Sequence, residues 1–480
     1  MTATQPEPST GPAPEATGDT GHTGGLTPAA SSDIIPFGQA VRTWLLISLQ
    51  TFGGPAGQIA VMQRALVEEK RWIGQRRFLH ALNYCMLLPG PEAQQLAIYT
   101  GWLLNGTRGG LVAGTLFVLP GMLALLALSA VYVAWGETTA VTAVFAGLAP
   151  AVVAIVAQAV IRVARRALRH RALLALAALA FLALAAFAVP FPLVIAGAAL
   201  AGWLLARRYP ALAAAGGHQG GDDGPTPLIP DDALHHATPS GRRTSTILLI
   251  GLLLWALPVL AVAVLTGTDS VYTTQGLFFS GTAVVTFGGA YAVLAFVAQQ
   301  AVTAYGWLSA SDMVRGLALA ESTPGPLIMV VQFVAFLGAY ANPGDLNPWV
   351  AGVVASLLTT WVTFVPCFLF IFLGAPYIER LRGNRSLGAA LTGITAAVVG
   401  VIANLGLYFA FNTLFSTTHT FEAGPVALPL PDLTTVRPTA IAITAIAAFI
   451  LLRLRWSVLR TLGICAVLGL GAGLIGLPLG

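Results

Sequence analysis

The chain has 480 residues, of which 56% are hydrophobic and only 9% are charged, whereas soluble globular proteins carry about 25% charged residues. Most of it therefore cannot face water, which excludes a soluble enzyme, a nucleic-acid-binding protein and a secreted disulfide scaffold. The net charge of +5 does not indicate nucleic acid, because the Lys and Arg residues lie in short clusters between apolar runs, as membrane topology signals do. The sequence predicts an all-α integral membrane protein.

Two polar stretches are predicted to be a tail and a linker. Residues 1–33 are rich in Pro, Thr, Gly and Ser and contain no Lys or Arg, which is typical of a disordered tail and not of a signal peptide. Residues 208–243 form a solvated linker. Its Asp and His pairs fix no ligand geometry, and the three scattered cysteines have no metal or disulfide spacing. We therefore expect neither a metal nor a cofactor.

Thirteen apolar segments approach the length of about 20 residues that a spanning helix needs. The first membrane repeat, 34–207, and the second, 269–480, contribute six each, and a connecting transmembrane helix over 244–268 stands between them without a counterpart. The segments lie near residues 37–62, 78–104, 109–135, 139–162, 171–189, 191–207, 245–266, 272–300, 313–340, 349–374, 386–412, 438–453 and 457–477.

The two halves are predicted to be a sequence repeat. The string at 51–54 returns at 286–289, Trp72 returns as Trp307, and the Pro-Gly-Pro string at 89–91 returns at 324–326, each 235 positions later. Further on, Pro120 matches Pro366 and Gly147 matches Gly393, both 246 positions later. Each segment of the first half corresponds to the segment seven places later, which is an odd offset. The second half is therefore expected to insert upside down, a common plan for transporters.

The positions of the basic clusters distinguish two topologies. If all 13 segments cross, the clusters at 64–77 and 162–171 fall on opposite sides, against the rule that such clusters are cytoplasmic. The conflict disappears if the first two segments of each half enter the membrane, break and return. We therefore expect nine full crossings and four re-entrant segments, with the linker 208–243 in the cytoplasm.

Gly and Pro strings mark the four expected breaks. Gly permits positive φ, whereas Pro fixes φ and suits the first turn of a new helix. A new helix N-terminus has free N–H groups and a partial positive charge, so four of them at one cavity would bind an anion. The candidate substrate-binding residues are Thr51, Phe52, Gly53, Gly54, Pro55, Pro89, Gly90, Pro91, Gln94, Gln95, Thr286, Gly288, Gly289, Ser322, Thr323, Pro324, Gly325 and Pro326.

Two acids accompany these strings. Glu92 follows one Pro-Gly-Pro string and Glu321 precedes the other. An acid in the membrane costs roughly 2.5–3.5 kcal/mol, which makes it a functional candidate by default. One role is proton coupling, in which protonation would oppose substrate binding. The alternative is a carboxyl group that only stabilises the start of a broken helix.

These strings resemble the chromate ion transporter family in its long, duplicated form. The similarity rests on T-F-G-G-P-A-G at 51–57, E-E-K-R-W-I at 68–73, L-L-P-G-P-E-A-Q-Q-L-A-I-Y-T-G-W-L-L-N-G-T at 87–107 and A-E-S-T-P-G-P-L-I-M-V at 320–330. Two positions depart from the family pattern. Gln58 stands where His is often expected, which puts a His-based proton step in doubt, and Ala290 stands where the first copy has Pro55.

The resemblance implies export of chromate from the bacterial cytoplasm across the inner membrane, and thereby chromate resistance. The partners that the resemblance implies are the oxyanion, the lipid bilayer and protons. The sequence does not decide whether the protein forms a homodimer. There are two alternatives. The protein could transport another tetrahedral dianion such as sulfate, or it could be an anion channel. A membrane-embedded reductase is disfavoured because the chain has no nucleotide fingerprint, CxxC or haem motif.

Overall fold

The structure, a computed structural model, describes residues 34–209, 225–235, 240–287, 289–377, 384–424 and 426–477. The predicted tail at 1–33, the central part of the linker and Gly288 lie outside this part of the chain. The described residues are mostly helical, which confirms the predicted all-α class.

The first half contains seven helices among its described residues. They are α1 (Phe37–Gln50), α2 (Gly54–Gln63, continued by a π-helix over Arg64–Glu69), α3 (Gln75–Cys85), α4 (Glu92–Trp135), α5 (Thr139–Ala167), α6 (Arg171–Ala185) and α7 (Phe191–Arg208). A 3₁₀ turn, Asp231–Ala233, lies in the linker, and α8 (Gly241–Thr266) follows it.

The second half continues the helical pattern and adds one small sheet. Its elements are α9 (Val271–Val285), α10 (Ala290–Gln299, continued by a π-helix over Gln300–Ala304), α11 (Ala310–Ser322), a 3₁₀ turn (Leu327–Met329), α12 (Val330–Ala341), α13 (Pro348–Gly374, then a 3₁₀ turn over Ala375–Tyr377), α14 (Arg385–Leu414), β1 (Thr418–Ala423), β2 (Val426–Pro431), a 3₁₀ turn (Leu433–Thr435), α15 (Pro438–Ala448, continued by a π-helix over Phe449–Arg453) and α16 (Val458–Leu474).

Six of the described helices are long and apolar enough to cross a membrane. They are α4, α5, α7, α8, α13 and α14. Helix α8 buries only Val259 against the rest of the protein, so its apolar surface is available to lipid. Five shorter apolar elements accompany them: α6, α10, the helix over 327–341, α15 and α16. These lengths establish a multi-pass membrane protein.

Helix α4 is two helices joined by a tight turn. Asn105 has φ −137° and Gly106 has φ +58°, ψ −153°, so the helical path reverses there. The limbs 92–104 and 107–135 then run side by side, because a Cβ placed on Gly101 would lie 2.6 Å from the Gly109 carbonyl oxygen. The first limb spans about 20 Å at 1.5 Å per residue, which is less than the roughly 30 Å hydrocarbon core.

Small residues hold helices of the two halves together. A Cβ on Gly147 of α5 would lie 1.9 Å from the Cys465 carbonyl oxygen of α16. A Cβ on Gly393 of α14 would lie 2.6 Å from Gly202 Cα of α7. Such close backbone approach is characteristic of helix packing in membranes. The larger hydrophobic core therefore includes residues of both halves, whereas a second core consists mainly of first-half residues.

One end of the molecule carries the described part of the linker. The Leu228 amide donates to the Arg71 carbonyl oxygen over 2.7 Å, and the His235 amide donates to the Leu103 carbonyl oxygen over 2.8 Å. Leu234 is buried beside the reversal in α4. The linker thus lies at the same end as the basic 64–77 loop.

The hairpin of β1 and β2 was not expected from the sequence. The strands pair antiparallel from Thr418 opposite Pro431 to Ala423 opposite Val426. The Ala427 amide donates over 2.9 Å to the Ala186 carbonyl oxygen, between α6 and α7. The hairpin therefore sits at the end of the molecule where these two helices meet.

Candidate functional site

The first Gly-Gly string separates α1 from α2. Helix α1 ends at Gln50, with Thr51 as its C-cap, and α2 begins at Gly54. Gly53 and Gly54 have φ of +78° and +75°, values that L side chains rarely adopt. Pro55 occupies the first turn of α2, and no side chain caps this N-terminus. Phe52 is partly buried.

The second Gly-Gly string separates α9 from α10 in a similar way. Thr286 is the C-cap of α9, and Gly289, with φ +103°, is the N-cap of α10. Helix α10 begins at Ala290, again without a side-chain cap. The predicted Gly288 lies outside the described residues.

The Pro-Gly-Pro strings also lie between helices. In the first half α3 ends at Cys85 and α4 begins at Glu92, with Gly90 at φ +117°. In the second half α11 ends at Ser322 and helical structure resumes at Leu327, with Gly325 at φ +98°. Pro91 and Pro326 are the residues before the new helices, and neither start has a side-chain cap.

One backbone hydrogen bond joins each Pro-Gly-Pro string to the Gly-Gly string of the other half. The Gly90 amide donates to the Thr286 carbonyl oxygen, and the Gly325 amide donates to the Thr51 carbonyl oxygen, both over 2.9 Å. These bonds make two pairs of strings, and the pairs adjoin because a Cβ on Gly54 would lie 3.8 Å from the hydroxyl oxygen of Tyr291, two residues beyond Gly289. All four strings therefore meet in one region.

Each Pro-Gly-Pro string also packs on a long helix of the other half. A Cβ on Gly121 of α4 would lie 2.4 Å from the Pro324 carbonyl oxygen. A Cβ on Gly90 would lie 3.0 Å from Cys367 Sγ of α13. Gly121 and Cys367 each follow a proline inside their helix, Pro120 and Pro366.

Glutamine amides line the same region. Gln58 Nε2 donates to the Gly325 carbonyl oxygen, and Gln95 Nε2 donates to the Pro89 carbonyl oxygen, both over 2.6 Å. Gln94 is fully buried, and neither its Nε2 nor its Oε1 has a partner among the described residues. A buried amide without partners is costly, so Gln94 is the amide best able to bind a ligand here.

The predicted hydroxyl ligands bind their own helices. Thr51, Thr286, Ser322 and Thr323 donate to carbonyl oxygens three or four residues earlier, over 2.6–3.0 Å. Their hydrogens satisfy the last carbonyls of α1, α9 and α11. The donors left for an anion are therefore backbone amides and glutamine side chains.

The two acids have different surroundings. Glu92 is the first residue of α4 and is partly buried. Glu321 is 1% exposed near the end of α11 and accepts a hydrogen bond at Oε1 from the Tyr291 hydroxyl. Its Oε2 has no partner among the described residues. The structure thus adds Tyr291, which no sequence pattern selected, because a lone tyrosine in an apolar segment has no distinguishing feature.

Helix α5 brings positive charge to both acids. Arg162 acts electrostatically on Glu321 and Tyr291, and Arg166, one turn later, acts on Glu92. In the sequence these arginines indicated only membrane topology. Their spacing of four residues, which puts them on one helix face, was the available clue to a second role.

Comparisons with known proteins identify the family of this chain. The family model for chromate transporters matches residues 38–203 and 274–475, one segment in each half. A protein named chromate transport protein from Pseudomonas aeruginosa is 32% identical over 78% of this chain and 82% of its own. One of the same name from Cupriavidus metallidurans is 28% identical over the same shares.

A protein named probable chromate transport protein from Synechococcus elongatus is 28% identical over 86% of this chain and 95% of its own. No solved structure matches. Because the family model covers well over half of the residues, in both halves, the chain belongs to the chromate transporter family, a family of transporters and not of enzymes.

Proposed function

We propose that this protein is a secondary transporter that exports chromate from the bacterial cytoplasm and thereby confers chromate resistance. The substrate comes from the relatives, two of which are named chromate transport protein. The observation that carries the proposal is the meeting of four uncapped helix starts at the reciprocal bonds of Gly90 and Gly325.

The proposed architecture consists of two inverted repeats joined by α8. The paired bonds from Gly90 to Thr286 and from Gly325 to Thr51 are what a two-fold relation between the halves would produce. The separate match of one family model to each half also supports a duplication. Inverted repeats with discontinuous helices are a known plan for transporters, whose sites lie at the repeat interface.

The proposed anion site is formed by the N-termini of α2, α4, α10 and the helical segment that starts at Leu327. Each helix start offers N–H groups and the positive end of its dipole. A tetrahedral dianion can accept several such hydrogen bonds at once, and the unpartnered Gln94 amide supports a polar ligand in this region. The residues of the Gly and Pro strings would contribute mainly their backbone.

Membrane potential is sufficient to drive export. One elementary charge moving through 100 mV is worth about 2.3 kcal/mol, so two negative charges leaving an inside-negative cell gain about 4.6 kcal/mol. That energy sustains a concentration ratio of over three decades, at about 1.4 kcal/mol each. A proton step at Glu92 or Glu321 is the coupling part of the proposal.

The proposed sidedness puts the 64–77 loop and the linker 208–243 in the cytoplasm and the β-hairpin outside. Leu228 of the linker bonds to Arg71 of that loop, which supports a common side for the two. The proposed location is the inner membrane, with nine crossings and four re-entrant segments.

Chromate uptake into inverted membrane vesicles carrying this protein tests the proposal. We expect concentrative uptake that increases with an imposed potential, positive inside the vesicle, as the exit of a dianion from a cell requires. Sulfate is the competing ion. Sulfate uptake without chromate uptake would contradict the substrate. Chromate accumulation that never exceeds its electrochemical equilibrium when a pH gradient is added would contradict proton coupling.

Glu92→Gln and Glu321→Gln test the coupling part. We expect at least one of these variants to alter the pH dependence of chromate uptake, because Gln cannot take up a proton. Glu137→Gln, in an exposed turn, is the matched control. Unchanged rates and pH profiles in both site variants would contradict proton coupling.

A further inference from the structure

Tyr291 lies between the first Gly-Gly string and the carboxylate of Glu321. Its hydroxyl donates to Glu321 Oε1. A Cβ placed on Gly54, the first residue of α2, would lie 3.8 Å from the same hydroxyl oxygen. The phenol therefore links a buried acid of the second half to an uncapped helix N-terminus of the first half.

A phenol has a single hydrogen to donate, so Tyr291 can serve one acceptor at a time. An ionised carboxylate is a strong acceptor and keeps that hydrogen. Its negative charge would also repel an oxyanion at the N-terminus of α2. When Glu321 is protonated, the carboxyl group becomes the weaker acceptor and the repulsion disappears. The unpartnered Oε2 offers the position for that proton.

We propose that Tyr291 is a proton-controlled ligand of the transported anion. One proton from water binds Glu321 at Oε2, the Tyr291 hydroxyl turns from Oε1 toward the oxyanion at the N-terminus of α2, and loss of the proton reverses both steps. This inference rests on the proposed function, because it assumes that the anion binds at the Gly and Pro strings.

The charges around this pair are compatible with such a switch. Arg162 of α5 acts on both Tyr291 and Glu321 and favours a negative charge near them in either state. Glu321 belongs to α11, which packs closely on α4, α5, α12, α14 and α16. Other titratable groups on these six helices are Glu92, Tyr99, Arg108, Tyr132, Arg165, Arg166, Asp312, Arg315, Tyr340, Arg385, Tyr408, Arg460 and Cys465.

The switch has the opposite sign to the one expected from the sequence. Protonation would favour anion binding instead of opposing it, so a proton would travel with the anion and reduce the transported charge by one. The switch is also confined to the second half. The positions 235 residues before Tyr291 and Glu321 are Ala56 and Met86, which can form no such pair.

Chromate binding to the purified full-length protein, measured by titration calorimetry between about pH 7 and about pH 9, tests the switch. For the wild type we expect the Kd to rise by up to about tenfold per pH unit, as one linked proton requires. Glu321→Gln should bind independently of pH and as tightly as the wild type at the lowest pH. Tyr291→Phe should bind about 10- to 100-fold more weakly at that pH, since it loses a hydrogen bond to a charged ligand.

Tyr305→Phe and Glu137→Gln are the matched controls, because both side chains are exposed and should leave the titration curves unchanged. Gel filtration of each variant verifies the fold. Wild-type affinity in Tyr291→Phe, or wild-type pH dependence in Glu321→Gln, would overturn the inference and leave the proposed function intact. Absence of chromate binding by the wild type at every pH would overturn both.

Discussion

Gly90 and Gly325 directly join the Gly and Pro strings of the two halves. Both have positive φ, donate an amide hydrogen across the halves and pack against a long helix. Adding a side chain at either glycine would cost free energy in two ways, through backbone strain and through steric contact. Positive φ disfavours any L residue by roughly 1–2 kcal/mol, and a Cβ would be 3.0 Å from Cys367 Sγ at Gly90 and 3.3 Å from Gly121 Cα at Gly325.

We therefore expect Gly90→Ala and Gly325→Ala to lower the melting temperature in detergent and to reduce chromate uptake several-fold. Gly281→Ala is the matched control, since Gly281 lies inside α9 and a Cβ added there would have no atom within 4 Å. That control should raise stability by roughly 0.5–1 kcal/mol, the usual helix preference for Ala over Gly. Full transport by both site variants would show that the strings only bend helices.

Part of this site could be predicted from the sequence, and part could not. Gly and Pro strings stand out because few residues permit positive φ or remove a donor. Tyr291 has no such signal, since its role comes from tertiary contacts with Glu321 and Gly54. The partners of Gly90 and Gly325 are backbone carbonyls, which every residue has, so no sequence pattern can identify them.

Helix α5 connects the acids of the site to one face of basic residues. Arg162 and Arg166 lie one turn apart and act on Glu321 and Glu92. Arg162 is exposed and hydrogen-bonds to Gln158 over 3.0 Å. A positive surface beside an anion site raises the local concentration of anions. We therefore expect α5 to combine a topology signal with attraction of the substrate.

We expect Arg162→Gln and Arg166→Gln to raise the KM for chromate by about 3- to 10-fold at low ionic strength, because steering by exposed charges is lost. The difference from the wild type should shrink in high salt, which screens such charges. Arg169→Gln, an exposed neighbour with the same change in charge, should leave the KM unaltered. Equal effects from all three variants would indicate general surface charge instead of steering by α5.

At the scale of the whole molecule, composition and periodicity predicted the class and the apolar segments, but not every element. The reversal at Asn105 and Gly106 falls between two predicted segments, 78–104 and 109–135. The β-hairpin at 418–431 was missed because its alternation is short and interrupted by prolines. The number of crossings stays a prediction, since α6, α15 and α16 are shorter than a typical span.

Cysteine labelling in intact cells measures the number of crossings. The three native cysteines are buried, so background labelling by a membrane-impermeant maleimide should be low. With nine crossings, Lys70→Cys and Arg169→Cys should both be protected and Thr420→Cys labelled, and all three should react after permeabilisation. Labelling of only one of the first two positions would support 13 full crossings.

The reciprocal bonds at Gly90 and Gly325 also have a consequence for biosynthesis. The Gly90 amide donates to no acceptor in its own half, since its partner is the Thr286 carbonyl, about 200 residues later in translation. At 5–20 residues per second, the first half must wait roughly 10–40 s in the bilayer before the break can close. A ribosome that stalls in the linker would therefore leave the Gly90 amide among lipids without its acceptor, and we expect such half-made chains to be degraded faster than the complete protein.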